Sequence, residues 1–338
     1  MWVEKGSLIL APMAGVTDKV YREICTRFGA DATVTEMVSA KGYLLTPKER
    51  EEVVQLRETS PGERCALQIF GSDADFMGRA AERLCEDRFF ALDVNMGCPA
   101  PKIVSGGDGS AMLRDLQNAE KVLRAVVRHA SLPVTVKIRM GWDESSVNYL
   151  EAGRMAQDCG VTAVTLHART RSEMYAGHAH WDAIAALSAK LSIPVVGNGD
   201  INSVQDAQEM LRQTGCYAVM VGRGAMGNPW IFRDWARARK GLPPLPPTPR
   251  ERIETALAHA QALVAHKGEY IGLREMRKHA AWYLRGLRGS AQVRVRVNLA
   301  ASLAELSDIL QTYLADLERE EAPFAPETGN EGPLQRES

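Results

Sequence analysis

Eight short apolar runs, rich in β-branched residues, recur between residues 7 and 224, and an amphipathic stretch follows each of them. The runs read SLILAPM, ATVTEM, RCALQIF, FALDVNM, VTVKIRM, AVTLHA, PVVGNGD and AVMVGRG. Unbroken apolar runs of this length are typical of parallel strands buried on both faces, with helices as crossovers. Eight such units in roughly 230 residues favour a (β/α)8 TIM barrel over an open sheet, which usually has fewer strands. The predicted fold class is therefore α/β, with a doubly wound sheet as the alternative.

A small all-α helical bundle is predicted to follow the barrel. The segment GLPPLPPTPR contains five of the 16 prolines and is typical of a stiff linker. Thr248, Pro249 and Glu251 then form a helix start, with a cap, a first-turn proline and a capping-box acid. The run QVRVRVN alternates like a strand within otherwise helical patterns and is ambiguous. We predict a barrel domain (1–240), a linker (241–249), a helical domain (250–318) and a disordered polar tail (319–338).

Composition excludes several classes of protein. The net charge of −1 gives no global attraction to nucleic acid or membrane, so any such preference must be local. No apolar run approaches the ~20 residues that span a bilayer, and the N-terminus lacks a signal-peptide pattern. The six cysteines form no C-x-x-C pair, which predicts reduced thiols in the cytoplasm. His178 and His180 lack nearby carboxylate or thiol ligands, so no metal site is predicted.

Polar or sulfur-containing side chains stand at the ends of the apolar runs. In chain order they are Met13, Glu36, Gln68, Asn95 with Cys98, Lys137, His167, Asn198 and Arg223. All strands of a parallel barrel point the same way, so these ends meet on the rim where barrel enzymes carry their sites. A single polar strand end is often a turn residue, but a series of them favours a catalytic site.

Two glycine-containing loops favour a phosphate-bearing cofactor. GNGDI (197–201) follows the seventh run and GRGAMGNPW (222–230) follows the eighth, where barrels often bind phosphate through backbone N–H groups. The second loop also matches the G-x-G-x-x-G dinucleotide pattern, but no acid stands about twenty residues later to hold a ribose. The alternative is that these glycines only turn the chain.

Lys137, Gln68, Asn198 and His167 supply polar groups that suit a heterocycle. A buried lysine must reach the rim or find a partner, and a cation there suits an anion such as a reduced flavin or an enolate. The alternative role for Lys137 is a structural salt bridge with Glu36. The amides of Gln68 and Asn198 can donate and accept, as a flavin or uracil edge requires, or they can be simple rim hydrogen bonders. His167 is either a core histidine or, with the arginines that follow it, part of an anion site.

Cys98 is a candidate acid. A free thiol, with a pKa of ~8.5, is mostly protonated at neutral pH and can donate a proton. Nucleophilic use normally requires a neighbouring base, and no histidine stands nearby in the sequence. The prolines of CPAPK followed by the glycines of VSGGDGS indicate a rigid support and then a mobile loop. That arrangement suits an acid presented to a substrate.

A basic segment in the helical domain predicts RNA binding. Between Arg274 and Arg296 there are seven Lys or Arg residues and one acid, Glu275, with Trp282 and Tyr283 among them. Concentrated positive charge on a neutral protein favours polyanion binding through phosphate contacts. The alternative is a solvated charged face.

Taken in order, the motifs resemble those of the bacterial tRNA-dihydrouridine synthase family, closest to its B-type branch. They are LAPMAGVTD, TEMVSAKG, QIFGSD, NMGCPAPKIV, GGDGSAMLRD, VKIRMGWD, HARTR, GNGDI, GRGAMGNPWIF and MRKHAAWYLRGL. The resemblance covers roughly residues 6–316. It implies an FMN enzyme that reduces the C5–C6 bond of a uridine in tRNA, with NADPH as hydride donor. The alternatives are a barrel flavoprotein acting on a free pyrimidine and a non-catalytic RNA-binding protein.

The resemblance also implies residue roles. Flavin contacts are expected from Pro12, Met13, Ala14, Gln68, Lys137 and His167. The ribityl phosphate end is expected at Asn198, Gly199, Asp200, Gly222 and Arg223. Cys98 would protonate C5 as reduced FMN delivers hydride to C6, with Asn95, Arg139 and Arg171 as substrate-binding residues. The predicted tRNA contacts are Arg274, Arg277, Lys278, Arg285 and Arg288.

Two positions depart from the family pattern. Ala168 stands where HGRTR has glycine, and His180 stands where an acid usually precedes the tryptophan.

Overall fold

The computed structural model describes residues 3–45 and 58–321. The chain divides into two compact units, 1–246 and 247–338. In the described residues, no helix is both long enough and apolar enough to cross a membrane.

The first unit is built on a parallel β-barrel. Its strands are β1 (Leu8–Leu10), β2 (Ala32–Val34), β3 (Val38–Ser39), β4 (Cys65–Phe70), β5 (Ala91–Met96), β6 (Val134–Arg139), β7 (Ala163–His167), β8 (Val195–Asn198) and β9 (Ala218–Val221). Each strand pairs in parallel with its neighbours in the order β2-β1-β9-β8-β7-β6-β5-β4, and β2 pairs with β4 to close the ring. The two-residue β3 pairs with β4 beside this ring. The predicted eight-stranded barrel is therefore confirmed, and the open doubly wound alternative is wrong.

Helices follow most of the strands, and the longer ones cover the outside of the barrel. They are α1 (Lys19–Arg27), α2 (Ala40–Leu45), α3 (Ala74–Leu84), α4 (Pro101–Val104), α5 (Leu116–His129), α6 (Tyr149–Asp158), α7 (Trp181–Lys190), α8 (Val204–Thr214) and α9 (Trp230–Ala238). Each long crossover has one apolar face; in α5 the buried residues Ala119, Val122, Leu123 and Val126 follow helical spacing. Asp115 accepts the Asn118 N–H and so begins this helix.

The inside of the barrel divides into an apolar part and a polar rim. Val34, Ala66, Ala91, Val196 and Ala218 belong to one buried cluster in the barrel interior. The carboxyl ends of the strands carry polar side chains, which therefore lie at one end of the barrel.

Part of the proline-rich linker packs against the barrel unit. Arg237 Nε on α9 donates to the Pro243 carbonyl at 2.8 Å, and the Leu245 N–H donates to Asp234 Oδ1 at 2.9 Å. Arg233 also donates to the Leu245 carbonyl. Residues 243–245 are therefore fixed on α9 by their backbone.

The second unit is helical in its described residues. Its helices are α10 (Pro249–Lys267), α11 (Glu269–Tyr283), α12 (Ser290–Leu299) and α13 (Leu303–Glu321). Thr248 caps α10, as predicted, by accepting the Glu251 N–H at 3.1 Å. The ambiguous QVRVRVN run lies in α12, where Val293 and Val297 are buried one turn apart. Helix α13 includes residues 319–321 of the predicted tail; residues 322–338 lie outside the described part of the chain.

Candidate active site

Two adjoining cavities open at the carboxyl ends of the barrel strands. The larger has a volume of about 500 Å³ and the smaller about 90 Å³. Both are lined by Pro12, Met13, Lys137, His167, Tyr175 and Arg223. Ala14, Gln68, Asn95, Cys98 and Arg139 line only the larger cavity, and Asn198, Gly199, Asp200 and Gly222 line only the smaller. Arg171, predicted to bind the substrate, lies outside both cavities, and so does Glu36 of the rim series.

A chain of hydrogen bonds joins strand β4 to the loop after β5. The buried Asp93 carboxylate accepts from Gln68 Nε2 at 2.7 Å and from Thr135 Oγ1 at 2.5 Å. Gln68 Oε1 accepts from Asn95 Nδ2 at 2.8 Å, and Asn95 Oδ1 accepts the Cys98 N–H at 2.9 Å. Because an Asp93 oxygen accepts from Gln68 Nε2, the Oε1 atom of the same amide faces Asn95 Nδ2, so Asp93 sets the orientation of both amides. We call the series Asp93–Gln68–Asn95 the amide relay.

Asp93 is a site residue that the sequence analysis missed. Burial raises the pKa of its carboxyl, while the hydrogen bonds from Gln68 and Thr135 oppose that rise. The available signal was an acid two residues before Asn95 within an apolar strand, because residues i and i+2 share one face.

Cys98 is held by its backbone at the edge of the large cavity. Its carbonyl accepts from Ser110 Oγ at 2.9 Å and from the Ser110 N–H at 3.0 Å. All six cysteines are free; Cys25, Cys65, Cys159 and Cys216 are buried, whereas Cys85 and Cys98 are half-buried. Among these six, all within the described residues, Cys98 is the one that lines the cavities. The loop therefore presents one accessible thiol to the site.

Lys137 points its ammonium group into the site. Nζ donates to Asn198 Oδ1 at 3.1 Å, and Asn198 Nδ2 donates to the Met220 carbonyl at 2.8 Å. Burial, reinforced by the positive charge of Arg139, lowers the pKa of Lys137 to about 8. The alternative ion pair with Glu36 is absent from the described residues, where Glu36 accepts from the Gly15 N–H. Lys137 is therefore a desolvated cation at neutral pH.

His167 is buried beside several cations. Burial, and then the charges of Lys137, Arg139 and Arg169, hold its pKa well below the usual value. The imidazole is consequently neutral at physiological pH and offers a hydrogen bond rather than a charge.

Arg139 lies under the large cavity rather than reaching freely into it. Nε donates to the Gly97 carbonyl at 3.0 Å, and Nη1 donates to the carbonyls of Thr170 and Met174 at 2.7 and 2.9 Å. Its burial lowers the pKa of the guanidinium to about 10. These contacts tie the loops after β5 and β7 together beneath the site.

The smaller cavity is lined by Arg223 and by the backbone of Gly199, Gly222 and Gly224. Arg169 Nη2 donates to both oxygens of Asp200, at 2.7 and 2.9 Å, and Arg223 lies 3.4 Å from the same carboxylate. Gly224 packs so closely on the neighbouring loop that an added Cβ would lie 2.0 Å from the Ile201 carbonyl oxygen. Asp200 would repel an anion, so its contacts with Arg169 and Arg223 indicate that it positions these cations.

The loop after β7 contributes residues that the sequence analysis did not identify. Tyr175 lies between the cavities, with Arg223 4.7 Å and Arg139 5.5 Å from its ring centroid. His180 Nε2 lies 2.9 Å from Glu173 Oε1, so the departure at His180 forms a contact within this loop. No periodic pattern marks a loop aromatic, and only the fold places Tyr175 at the site.

The basic segment of the helical unit is partly exposed and partly core. The Arg274 guanidinium lies 4.0 Å from the centroid of the exposed Tyr270 ring. Arg277 Nη2 donates to the Ala300 carbonyl at 3.2 Å, and Arg285 and Arg288 are exposed. Tyr283, in contrast, is fully buried and therefore belongs to the core of this unit. Among the described residues no cluster of three or more metal-ligating side chains occurs.

Comparisons with known proteins place these features in context. The model of a family described as dihydrouridine synthase matches residues 9–319. A tRNA-dihydrouridine synthase B of Vibrio cholerae is 41% identical over 311 residues, which cover 91% of this chain and 96% of the relative. A protein of the same name from Pseudomonas aeruginosa is 40% identical over 86% of this chain and 87% of its own. An old yellow enzyme homologue from Zymomonas mobilis superimposes with a TM-score of 0.50 over 70% of this chain and 89% of its own, at 11% identity, which supports the barrel fold.

Proposed function

Because the chain belongs to the dihydrouridine synthase family, we propose that it is a tRNA-dihydrouridine synthase that uses FMN and NADPH. The family resemblance carried by the motifs is thereby confirmed. The observation that carries the proposal is the convergence of Cys98, Lys137 and the two amides of the relay, Gln68 and Asn95, on one cavity. We further propose that the protein acts in the cytoplasm on tRNA.

The residues around the cavities fit a flavin mononucleotide. Gln68 and Lys137 offer the neutral and charged hydrogen-bond donors that a flavin ring edge requires, beside the apolar walls formed by Pro12 and Met13. Arg223 and the Gly222–Gly224 backbone offer a cation and N–H groups for a phosphate. When bound, FMN reduced by NADPH would supply the hydride that is added to C6 of the uracil.

The chain's own residues would bind the uracil and protonate it. The target base is stacked in folded RNA, so it must leave the stack to enter the cavity. Asn95, held by Gln68, would hydrogen-bond the base, and Arg139 would keep the loop beneath it in place. As negative charge develops on the uracil, the Cys98 Sγ–H would donate its proton to C5. Lys137 would stabilise negative charge within the same cavity.

A direct assay separates this function from the two alternatives. Purified protein should carry a yellow flavin and should form dihydrouridine when it is given unmodified tRNA and NADPH, as measured by mass spectrometry. Reduction of free uracil or uridine without reduction of tRNA would favour the free-pyrimidine enzyme. Binding of tRNA by a protein that contains no flavin would favour the RNA-binding alternative, and either result contradicts the proposal.

A further inference from the structure

Arg114, Trp142 and Arg171 form a group on the barrel unit outside both cavities, and of the three only Arg171 has an expected role, in substrate binding. The guanidinium carbons of Arg114 and Arg171 lie 4.9 and 4.5 Å from the centroid of the Trp142 ring. We call this group the arginine–tryptophan cluster. Both arginines are thus held beside one indole, with Arg114 exposed and Arg171 half-buried.

Neither arginine of the cluster has an acidic partner in the described part of the chain, where no carboxylate lies within 4.0 Å of either guanidinium group. The Nε atom of Arg171 is buried and lacks a hydrogen-bond partner there. An unpaired buried donor costs free energy, so an anion bound at Arg171 Nε would relieve that penalty.

Three carboxylates of the described loops after β6 and β7 stand near the cluster; Glu144 is exposed to solvent, and the other two contact other groups. Asp143 accepts from Ser145 Oγ at 2.7 Å and from Ser146 Oγ at 2.8 Å. Glu173 accepts the Thr170 N–H at 2.6 Å and contacts His180. Asp143 and Glu173 thus stabilise their own loops and form no ion pair with either arginine of the cluster.

The cluster is joined to the active site by short hydrogen bonds. The Arg171 N–H donates to the Gly141 carbonyl at 2.9 Å, two residues after Arg139, which lines the large cavity. Asn148 Nδ2 donates to the Leu113 carbonyl at 2.7 Å and so ties the turn that carries Arg114 to the loop after β6. The cluster therefore lies on loops that adjoin the residues lining the large cavity.

We infer that the arginine–tryptophan cluster binds a phosphate group of a ligand whose reacting part occupies the large cavity. A guanidinium group binds two phosphate oxygens through paired N–H donors. Stacking on an aromatic ring fixes the orientation of the guanidinium before the phosphate binds. The inference rests on the proposed function for its two possible sources of phosphate, which are the backbone of the substrate RNA and the nucleotide reductant.

The test uses the full-length, flavin-loaded protein with Arg114→Gln, Arg171→Gln and the double variant. Arg124→Gln is the matched control, because it removes an exposed cation that is paired with Glu120 on α5. Affinity for unmodified tRNA is measured at several salt concentrations. KM for NADPH and for NADH is measured without tRNA, with dioxygen as electron acceptor. Flavin absorbance reports the integrity of the barrel.

Each outcome supports or overturns the inference. A loss of tRNA affinity of about tenfold per arginine, with the log–log salt slope reduced by about 0.9 per contact, assigns the site to the RNA backbone. A similar rise in KM confined to the reductant assigns the site to a phosphate of that nucleotide. If the double variant matches Arg124→Gln in both measurements, the cluster binds no phosphate. Dihydrouridine formation by the unaltered protein tests the proposed function separately.

Discussion

At the scale of single residues, Cys98 carries the chemical step most directly. Cys98→Ala should retain flavin and should still oxidise NADPH, because the thiol makes no side-chain hydrogen bond in the described structure that the cofactor site depends on. Formation of dihydrouridine in tRNA should fall by about 10²- to 10⁴-fold, the usual contribution of a general acid. Single-turnover product analysis checks this, with the more conservative Cys98→Ser as the control. Undiminished product would contradict the acid role.

Asp93 offers a test of the amide relay. Asp93→Asn replaces an acceptor with a group that also donates, so the amide of Gln68 can reverse and Asn95 then loses its partner. We expect the binding free energy of the flavin to become less favourable by about 1–3 kcal/mol. The activation free energy given by kcat/KM for tRNA should rise by a similar amount. Thr135→Val is the control, because it removes a hydrogen bond to Asp93 without changing the relay. Equal effects of both substitutions would argue against orientation by Asp93.

The sequence located most of the candidate site but not its internal contacts. Gln68, Asn95, Lys137 and Asn198 were identifiable because parallel strands end at one rim. The bond from Lys137 to Asn198 spans 61 residues and depends on the closure of the barrel, which no local pattern specifies. Arg171, which was predicted to bind the substrate, lies beside Trp142 and outside both cavities, a placement that no sequence pattern specifies.

At the scale of elements, the helices of the second unit show why periodicity alone can be ambiguous. The valines at 293, 295 and 297 suit a strand face, but two of them are also one helical turn apart. Val293 and Val297 are buried whereas Val295 is 60% exposed, as a helix and not a strand requires. The attachment of the linker to α9 was equally hidden, since it uses backbone carbonyls that any residue has.

The packing of α10 on α11 predicts a loss of stability in acid. Burial, with the neighbouring charges of His259, Lys278 and Lys267, holds the pKa of His279 well below its usual 6.5. Below pH 6.5 the unfolded chain binds a proton that the folded unit excludes, so stability falls as pH falls, by up to about 1.4 kcal/mol per pH unit. Urea unfolding followed by circular dichroism at pH 7.5 and 5.5 should show this loss.

A substitution isolates the contribution of His279. His279→Phe should reduce the difference in unfolding free energy between the two pH values, because the phenyl ring takes up no proton. His178→Gln, at an exposed histidine, should leave that difference unchanged. If His279→Phe keeps the full pH dependence, other groups cause it.

At the scale of the whole molecule, tRNA binding must depend on local positive charge, because a net charge of −1 gives no overall attraction to nucleic acid. Substituting Arg274, Arg277 and Lys278 together by glutamine should weaken tRNA binding and reduce the salt slope by up to about 3. Flavin content should stay unchanged, because these residues belong to the second unit. Fluorescence titration with tRNA at several salt concentrations checks this.

The matched control for that triple variant is glutamine at Arg79, Arg124 and Arg154, all on the barrel unit and paired with acids one turn away. It removes the same charge, so a general electrostatic effect would weaken binding equally in both proteins. Equal weakening would mean that the basic segment is not the RNA contact.

The burial of most of the six cysteine thiols determines which of them can react with electrophiles. Burial raises the pKa of Cys25, and it raises that of Cys65 to about 12, so both resist conversion to the reactive thiolate. Cys159 and Cys216 are also buried, which leaves Cys85 and Cys98 open to reagents. After Cys85→Ser, one equivalent of an alkylating agent should modify Cys98 and abolish dihydrouridine formation in proportion. The half-buried thiol thus makes the enzyme open to covalent inhibitors that carry a weak electrophile on a uracil-like ring.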